Sequence, residues 1–135
     1  MHVMKLGVLL AASAIALAGC GSTNTSAENA QEGAVIDGCA IAPNAQCAGA
    51  NLSGADLKNA NLSGANLKGA DLTETDLLGA NLTNADLTDA TIWFTDLQGA
   101  NLEGANVQPT QFVNANLIHA VCANGVMARN SNCNG

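Results

Sequence analysis

The sequence predicts an all-β chain wound as a right-handed, four-sided parallel β-helix, a solenoid of about four coils closed at both ends by disulfides. Three observations predict the solenoid. From residue 45 to residue 124 an apolar residue recurs every five positions, running from Cys47 through Leu52 and Leu57 to Cys122. Two places before each of these centres stands Ala, or Thr at Thr75, Thr95 and Thr110. Two places after them Gly or Asn occupies eleven of the sixteen units. A period of five fits neither the 3.6 of a helix nor the 2 of a strand, so neither element keeps the Leu residues on one face. A chain that turns about a quarter of a circle per unit does keep them inside.

Each side of such a coil points one Leu and one Ala inward, and Ala is required because two facing positions in a narrow, close-packed interior cannot both be large. Gly and Asn serve the corners, where the backbone adopts angles that other residues resist. Four sides give a coil of twenty residues, and successive coils pair as parallel strands about 4.8 Å apart.

The units Ala50-Asn51-Leu52-Ser53-Gly54 and Ala55-Asp56-Leu57-Lys58-Asn59, with their successors, resemble the pentapeptide-repeat family. The resemblance implies the quadrilateral β-helix and no single activity. It does bring one specific alternative, because well-understood members of that family mimic DNA and bind gyrase.

The chain ahead of the repeats reads differently. Met1 to Lys5 carries the early positive charge, an apolar run follows from Leu6 to Leu17, and Leu17-Ala18-Gly19-Cys20 closes it. This is the layout of an export signal, and the apolar run is shorter than the 18 to 20 residues, approximately, that a bilayer span needs. Leu17 to Cys20 resembles the bacterial lipobox, which implies that residues 1–19 are a lipoprotein signal peptide and that Cys20 is lipidated. The rival reading is an ordinary signal peptide that leaves Cys20 a spare thiol. Gly21 in place of Asp after the lipidated residue implies outer-membrane delivery, facing the periplasm, in a two-membrane cell. Residues 20–37 are the lipidated Cys and a tether of Ser, Thr, Asn, Ala, Gln and Glu with a reach of roughly 20 Å. The folded unit is 38–135, and the expected location is the cell envelope.

Both ends of the repeats carry a Cys at a repeat centre, and each has a companion just outside: Cys39 before Cys47, and Cys133 after Cys122. Four coils separate the ends by some 15 to 19 Å, whereas bonded Cα atoms lie about 4.4 to 6.8 Å apart. Geometry therefore selects Cys39 with Cys47 and Cys122 with Cys133. Val35, Ile36 and Ile41 are expected to cover one end of the core, and Val126 and Met127 the other.

Composition excludes several function classes. Residues 20 to 135 hold Lys58, Lys68 and Arg129 against eleven acidic residues, a net charge near −8. Phosphate backbones are bound by clustered Lys and Arg, so nucleic acid is not an expected partner. No catalytic constellation is visible: His119, the one histidine of that segment, falls at a corner, and no cofactor is implied. An exported chain does not meet a cytosolic gyrase, so the lipobox argues against the DNA-mimic alternative.

Two irregularities remain. Asp56, Asp76 and Asp96, twenty apart, form an outward column continued by Asn116, and their mutual repulsion invites a cation such as calcium. The plainer reading is that Asp and Asn interchange at this position, so no metal ligand is assigned. Trp93 and Phe94 occupy outward and corner positions that are elsewhere mostly small or polar, with Val113 stacked beside Trp93. Leu78 and Ile118 lie on the next side, with Gln98 between them. Trp93, Phe94 and Val113 are the expected partner-binding residues, either as a surface for an envelope protein or other envelope component, or covered locally by a neighbouring loop. Pro109 replaces a corner residue nearby and is positioned to distort that coil.

Overall fold

The computed structural model describes residues 33–128 and Cys133. The expected export segment, the expected lipidation site Cys20 and the part of the expected tether through Glu32 lie outside the described residues.

The described chain opens with a tight antiparallel hairpin of β1 (Val35–Ile36) and β2 (Cys39–Ala40), in which Ile36 faces Cys39. Asp37 and Gly38 turn it with positive φ at both positions (47° and 75°). That is the requirement of the two-residue turn whose twist matches the strands, and Asp-Gly is a preferred pair for it. Asp37 Oδ2 also accepts the Asn51 N–H at 2.7 Å, tying the hairpin to the coil behind it. Ile41 is fully buried and Ile36 packs against the core, but Val35 is exposed.

Beyond the hairpin the chain winds with a constant register. Parallel bridges join Gln46 to Asn66, Asn51 to Asp71, Asp56 to Asp76 and Asn61 to Asn81, and the series continues to Asn101 with Val121. Every one spans twenty residues, so four five-residue sides make one coil. The inter-coil contacts are mostly single bridges rather than the continuous strands expected from sequence. The reason is arithmetic: each side spends most of its residues on a turn. Within most turns the Ala N–H returns to the preceding centre's carbonyl, as Ala60 N to Leu57 O at 3.0 Å. The corner residue has positive φ in nearly every unit, at residues as unlike as Glu74 (58°), Phe94 (54°) and His119 (60°).

The residue ahead of each centre has a job in the same turn. Asn51 Oδ1 accepts the Ser53 N–H, Asp71 Oδ1 that of Thr73, and Asn101 Oδ1 that of Glu103. Asn and Asp suit this position because their short side chains bond backbone two residues ahead. Corners are matched between coils as well. A Cβ on Gly64, Gly79 or Gly104 would collide with the Oδ1 of Asn44, Asn59 or Asn84 one coil earlier.

The interior is a stack of Leu and Ala. The repeat centres from Leu52 to Leu102 are all essentially inaccessible, as are Ala65, Ala80, Ala85 and Ala100. Thr75 and Thr95 replace Ala inside without leaving an orphan hydroxyl: they donate to Leu52 O at 2.8 Å and Leu72 O at 2.7 Å. A buried hydroxyl without a partner would cost roughly 1–3 kcal/mol.

Disulfides join Cys39 to Cys47 and Cys122 to Cys133, with Cα separations of 4.8 and 5.5 Å. At the carboxyl end the chain turns back on the last coil. Val121 bridges Met127 antiparallel, and Ala128 N bonds Ala120 O. This return brings Ala128 and Cys133 against the core and leaves Val126 and Met127 about half exposed. Hydropathy pointed to the wrong pair because the direction of the return strand, rather than side-chain size, decides which residue faces inward.

Candidate interaction surface

The regular coils present a polar coat, and its one cluster of carboxylates is already partnered. Lys58 Nζ lies 2.9 Å from Asp76 and 3.7 Å from Asp56. The hydrogen bond to Asp76 and the charge of Asp56 hold the Lys58 ammonium above its ordinary value. Asn116 Nδ2 donates to Asp96 Oδ1 at 3.1 Å. The repulsion that would recruit calcium to Asp56, Asp76 and Asp96 is met by the protein's own donors. Among the described residues no group of three or more His, Cys, Asp or Glu is placed to hold a metal. Elsewhere the outward carboxylates serve their turns: the Thr73 hydroxyl and N–H hold Asp71 below the usual carboxylate range, and Thr88 does the same for Asp86.

The side that carries Trp93 is different, and Pro109 is the reason. Position 109 is a corner, which requires positive φ, while the pyrrolidine ring fixes φ near −65°. The chain makes a short 3-10 turn over Pro109–Gln111 instead. Two contacts of the regular register are lost there. Gly69 N bonds Thr88 O in the coil before, but Asp89 N does not reach Gln108 O, which accepts Gln111 N at 2.9 Å. Gln111 N likewise does not reach Ala90 O, where Thr91 N of the coil before bonds Ala70 O.

The Gln111 side chain repairs the damage. Its Nε2 donates to Ala90 O and to Leu87 O, both at 2.9 Å, and its Oε1 accepts the Gln108 N–H at 2.8 Å. The Leu87 carbonyl is the one that Thr110 would cap if it lay inside as Thr75 and Thr95 do, but Thr110 is exposed. Gln111→Ala is expected to lower stability by about 2 kcal/mol, because removing one partner leaves the Ala90 carbonyl unmatched, while Leu87 O keeps the Ala90 N–H. Gln111→Glu should lose as much, since a carboxylate has no N–H to donate. Denaturant midpoints within experimental error of the parent for both variants would refute this role.

The register recovers in a parallel pair, β3 (Ile92–Trp93) and β4 (Phe112–Val113). Trp93 and Val113 are register partners and stand side by side on the outer surface. Trp93 is 50 % exposed, Phe94 58 % and Val113 42 %, so no loop buries them. Ile118 is also exposed on the next side, with Leu78 and Gln98 only half-buried between the coils. Between Trp93 and the Pro109–Gln111 turn lies a cleft of about 450 Å³, lined by Asp89, Thr91, Asn106, Gln108 and Thr110 among others. Sequence marked Trp93 and Pro109 as irregular, but not the cleft between them or the part played by Gln111. Thr91 in place of the usual Asn or Asp was the available signal.

Comparison with known proteins agrees with this geometry. The family described as pentapeptide repeats matches residues 44–79, 65–104 and 95–132, with eight copies of its repeat. The chain belongs to the pentapeptide-repeat family. Among solved structures it is similar to HetL from the cyanobacterium Nostoc sp. strain PCC 7120, a pentapeptide-repeat protein involved in heterocyst differentiation regulation. The two are 32% identical over 64% of this chain and 40% of HetL, with a TM-score of 0.61. Its fold is therefore the right-handed β-helix of this family, and it spans well under half of HetL. Rfr23 from Cyanothece 51142 is 32% identical over 60% of this chain and 58% of its own, with a TM-score of 0.27. A pentapeptide-repeat protein of the Arabidopsis thaliana thylakoid lumen is 30% identical over 56% and 63%, with a TM-score of 0.26. Curated proteins provide no match. The family is one of interaction modules, generally structural or binding proteins rather than enzymes.

Proposed function

We propose that this pentapeptide-repeat protein is a non-enzymatic, lipid-anchored scaffold or interaction module of the cell envelope, which meets its partner through Trp93, Phe94 and Val113. The observation that carries the reading is the exposure of these three large side chains together, at repeat positions that elsewhere hold mostly Ser, Thr, Lys, Gly or Asn. Exposed apolar clusters mark contact sites, and Trp is enriched among residues that dominate binding energy. The lipobox-like Leu17 to Cys20 supplies the anchor in this reading, and two or more acyl chains on Cys20 would hold the chain stably at a membrane. The two disulfides act as end staples, which suits an oxidising compartment.

The anchor and the contact surface are tested together in the producing cell. Metabolic labelling with a radioactive fatty acid should mark the parent chain and not Cys20→Ala, which should move from the membrane to the soluble envelope fraction. A photo-cross-linker at position 94 should capture an envelope component that one at position 58, on the polar side, does not. An unlabelled full-length chain in the cytosol, or identical capture from both positions, would overturn the proposal.

A further inference from the structure

We infer that the cleft between Trp93 and the Pro109–Gln111 turn binds a neutral carbohydrate of about one or two hexose rings. This deepens the reading of Trp93 as a contact residue and rests on it. The volume of about 450 Å³ falls in the lower part of the range of small-ligand sites, roughly 300–1,000 Å³.

The lining matches a sugar in kind. Trp93 stands in the lining with residues that bear carboxylate, hydroxyl and amide groups. A pyranose ring offers a C–H face that buries against an aromatic ring and a rim of hydroxyls that both donate and accept. The protein leaves suitable partners for that rim. Among the described residues the Asp89 carboxylate and the Thr91 and Thr110 hydroxyls make no hydrogen bond, and the Asp89 N–H has lost its acceptor to the 3-10 turn. The turn itself is held in place by three hydrogen bonds of the Gln111 side chain, so the cleft is formed before any ligand arrives.

Charge and topology narrow the ligand class. No Lys or Arg lines the cleft, and Asp89 opposes an anion, which excludes phosphorylated, sulfated and uronic sugars. An added peptide strand needs a row of unpaired backbone groups. Here the ladder closes again at once, at Ile92 with Phe112, so no such row is presented.

Trp93 is the chain's one tryptophan and there is no tyrosine, so indole emission reports on this cleft alone. The full chain in detergent is titrated with N-acetylglucosamine oligomers, cellobiose and maltotriose. At least one should give a saturable change in emission. Asp89→Gly, which suits the positive φ of 58° at that corner, should bind about tenfold more weakly, the cost of one hydrogen bond to a charged group. Lys58→Ala, on the polar side and outside the cleft lining, should bind as the parent does. No saturable response to any of these sugars, or undiminished affinity in Asp89→Gly, would overturn the inference. Capture at position 94 without sugar binding would remove this inference and leave the proposed function standing; sugar binding by a chain that carries no lipid would do the reverse.

Discussion

Reducing both disulfides is expected to destabilise the solenoid by about 5 kcal/mol in total. The loops they close span 8 and 11 residues, and restricting such loops in the unfolded chain contributes about 2.5–3 kcal/mol each at most. The effect should be local in its first appearance. A solenoid coil contacts its neighbours alone, so its stability is close to a sum of nearest-neighbour terms, and loss at an end frays that end first. Cys47 and Cys122 are buried repeat centres, in the first and last units of the solenoid, and each is disulfide-bonded to a cysteine just outside the repeats. Hydrogen exchange in the reduced protein should therefore speed up first around Ile41 to Ala50 and Leu117 to Cys122, while Leu67 to Leu97 keep their protection. The paired variants Cys39→Ser with Cys47→Ser, and Cys122→Ser with Cys133→Ser, should each reproduce one end of that pattern. An unfolding midpoint unaffected by reductant would show that the disulfides are not end staples.

How much was legible in the sequence follows from how often each feature is repeated. Leu at every fifth position and Ala two before it state one geometric requirement many times over, so the coil and its twenty-residue register could be read directly. The cysteine pairing was legible because the solenoid sets the distance between its ends. The capping role of Asn and Asp recurs in most units, yet the sequence shows only an outward polar position, since its partner is a backbone N–H that sequence does not display. The Asp37-Gly38 hairpin carried a strong turn signal just outside the repeats. The cleft could not be read at all. Pro109 forbids a corner, but whether the chain opens there depends on which side chain can reach the stranded carbonyl of Ala90. That Gln111 can is a matter of three-dimensional reach rather than pattern.

Leu77→Ala should be the most damaging single substitution in the repeats, at about 3–5 kcal/mol. The side chain is fully buried, with Leu57 and Leu97 at the equivalent places in the coils on either side. Truncating a buried Leu costs its transfer free energy and the cavity left behind, and the total rises where the surroundings cannot relax. Relaxation is blocked here from both directions. Asp76, one residue before Leu77, is bridged to Asp56 on one side and to Asp96 on the other. Leu77 N and Ala80 N are both committed, to Asp96 O and Leu77 O. The coils cannot close the gap without breaking that ladder. Leu77→Met, which nearly conserves volume, should cost less than about 1.5 kcal/mol. Leu117→Ala, in the last coil and with one covered neighbour instead of two, should fall between them because the end segment can settle inward. Denaturant unfolding of the three variants checks the order. Equal losses at Leu77 and Leu117 would mean that cavity cost does not depend on being held between two bridged coils, and the account of this interior as a rigid stack would have to be given up.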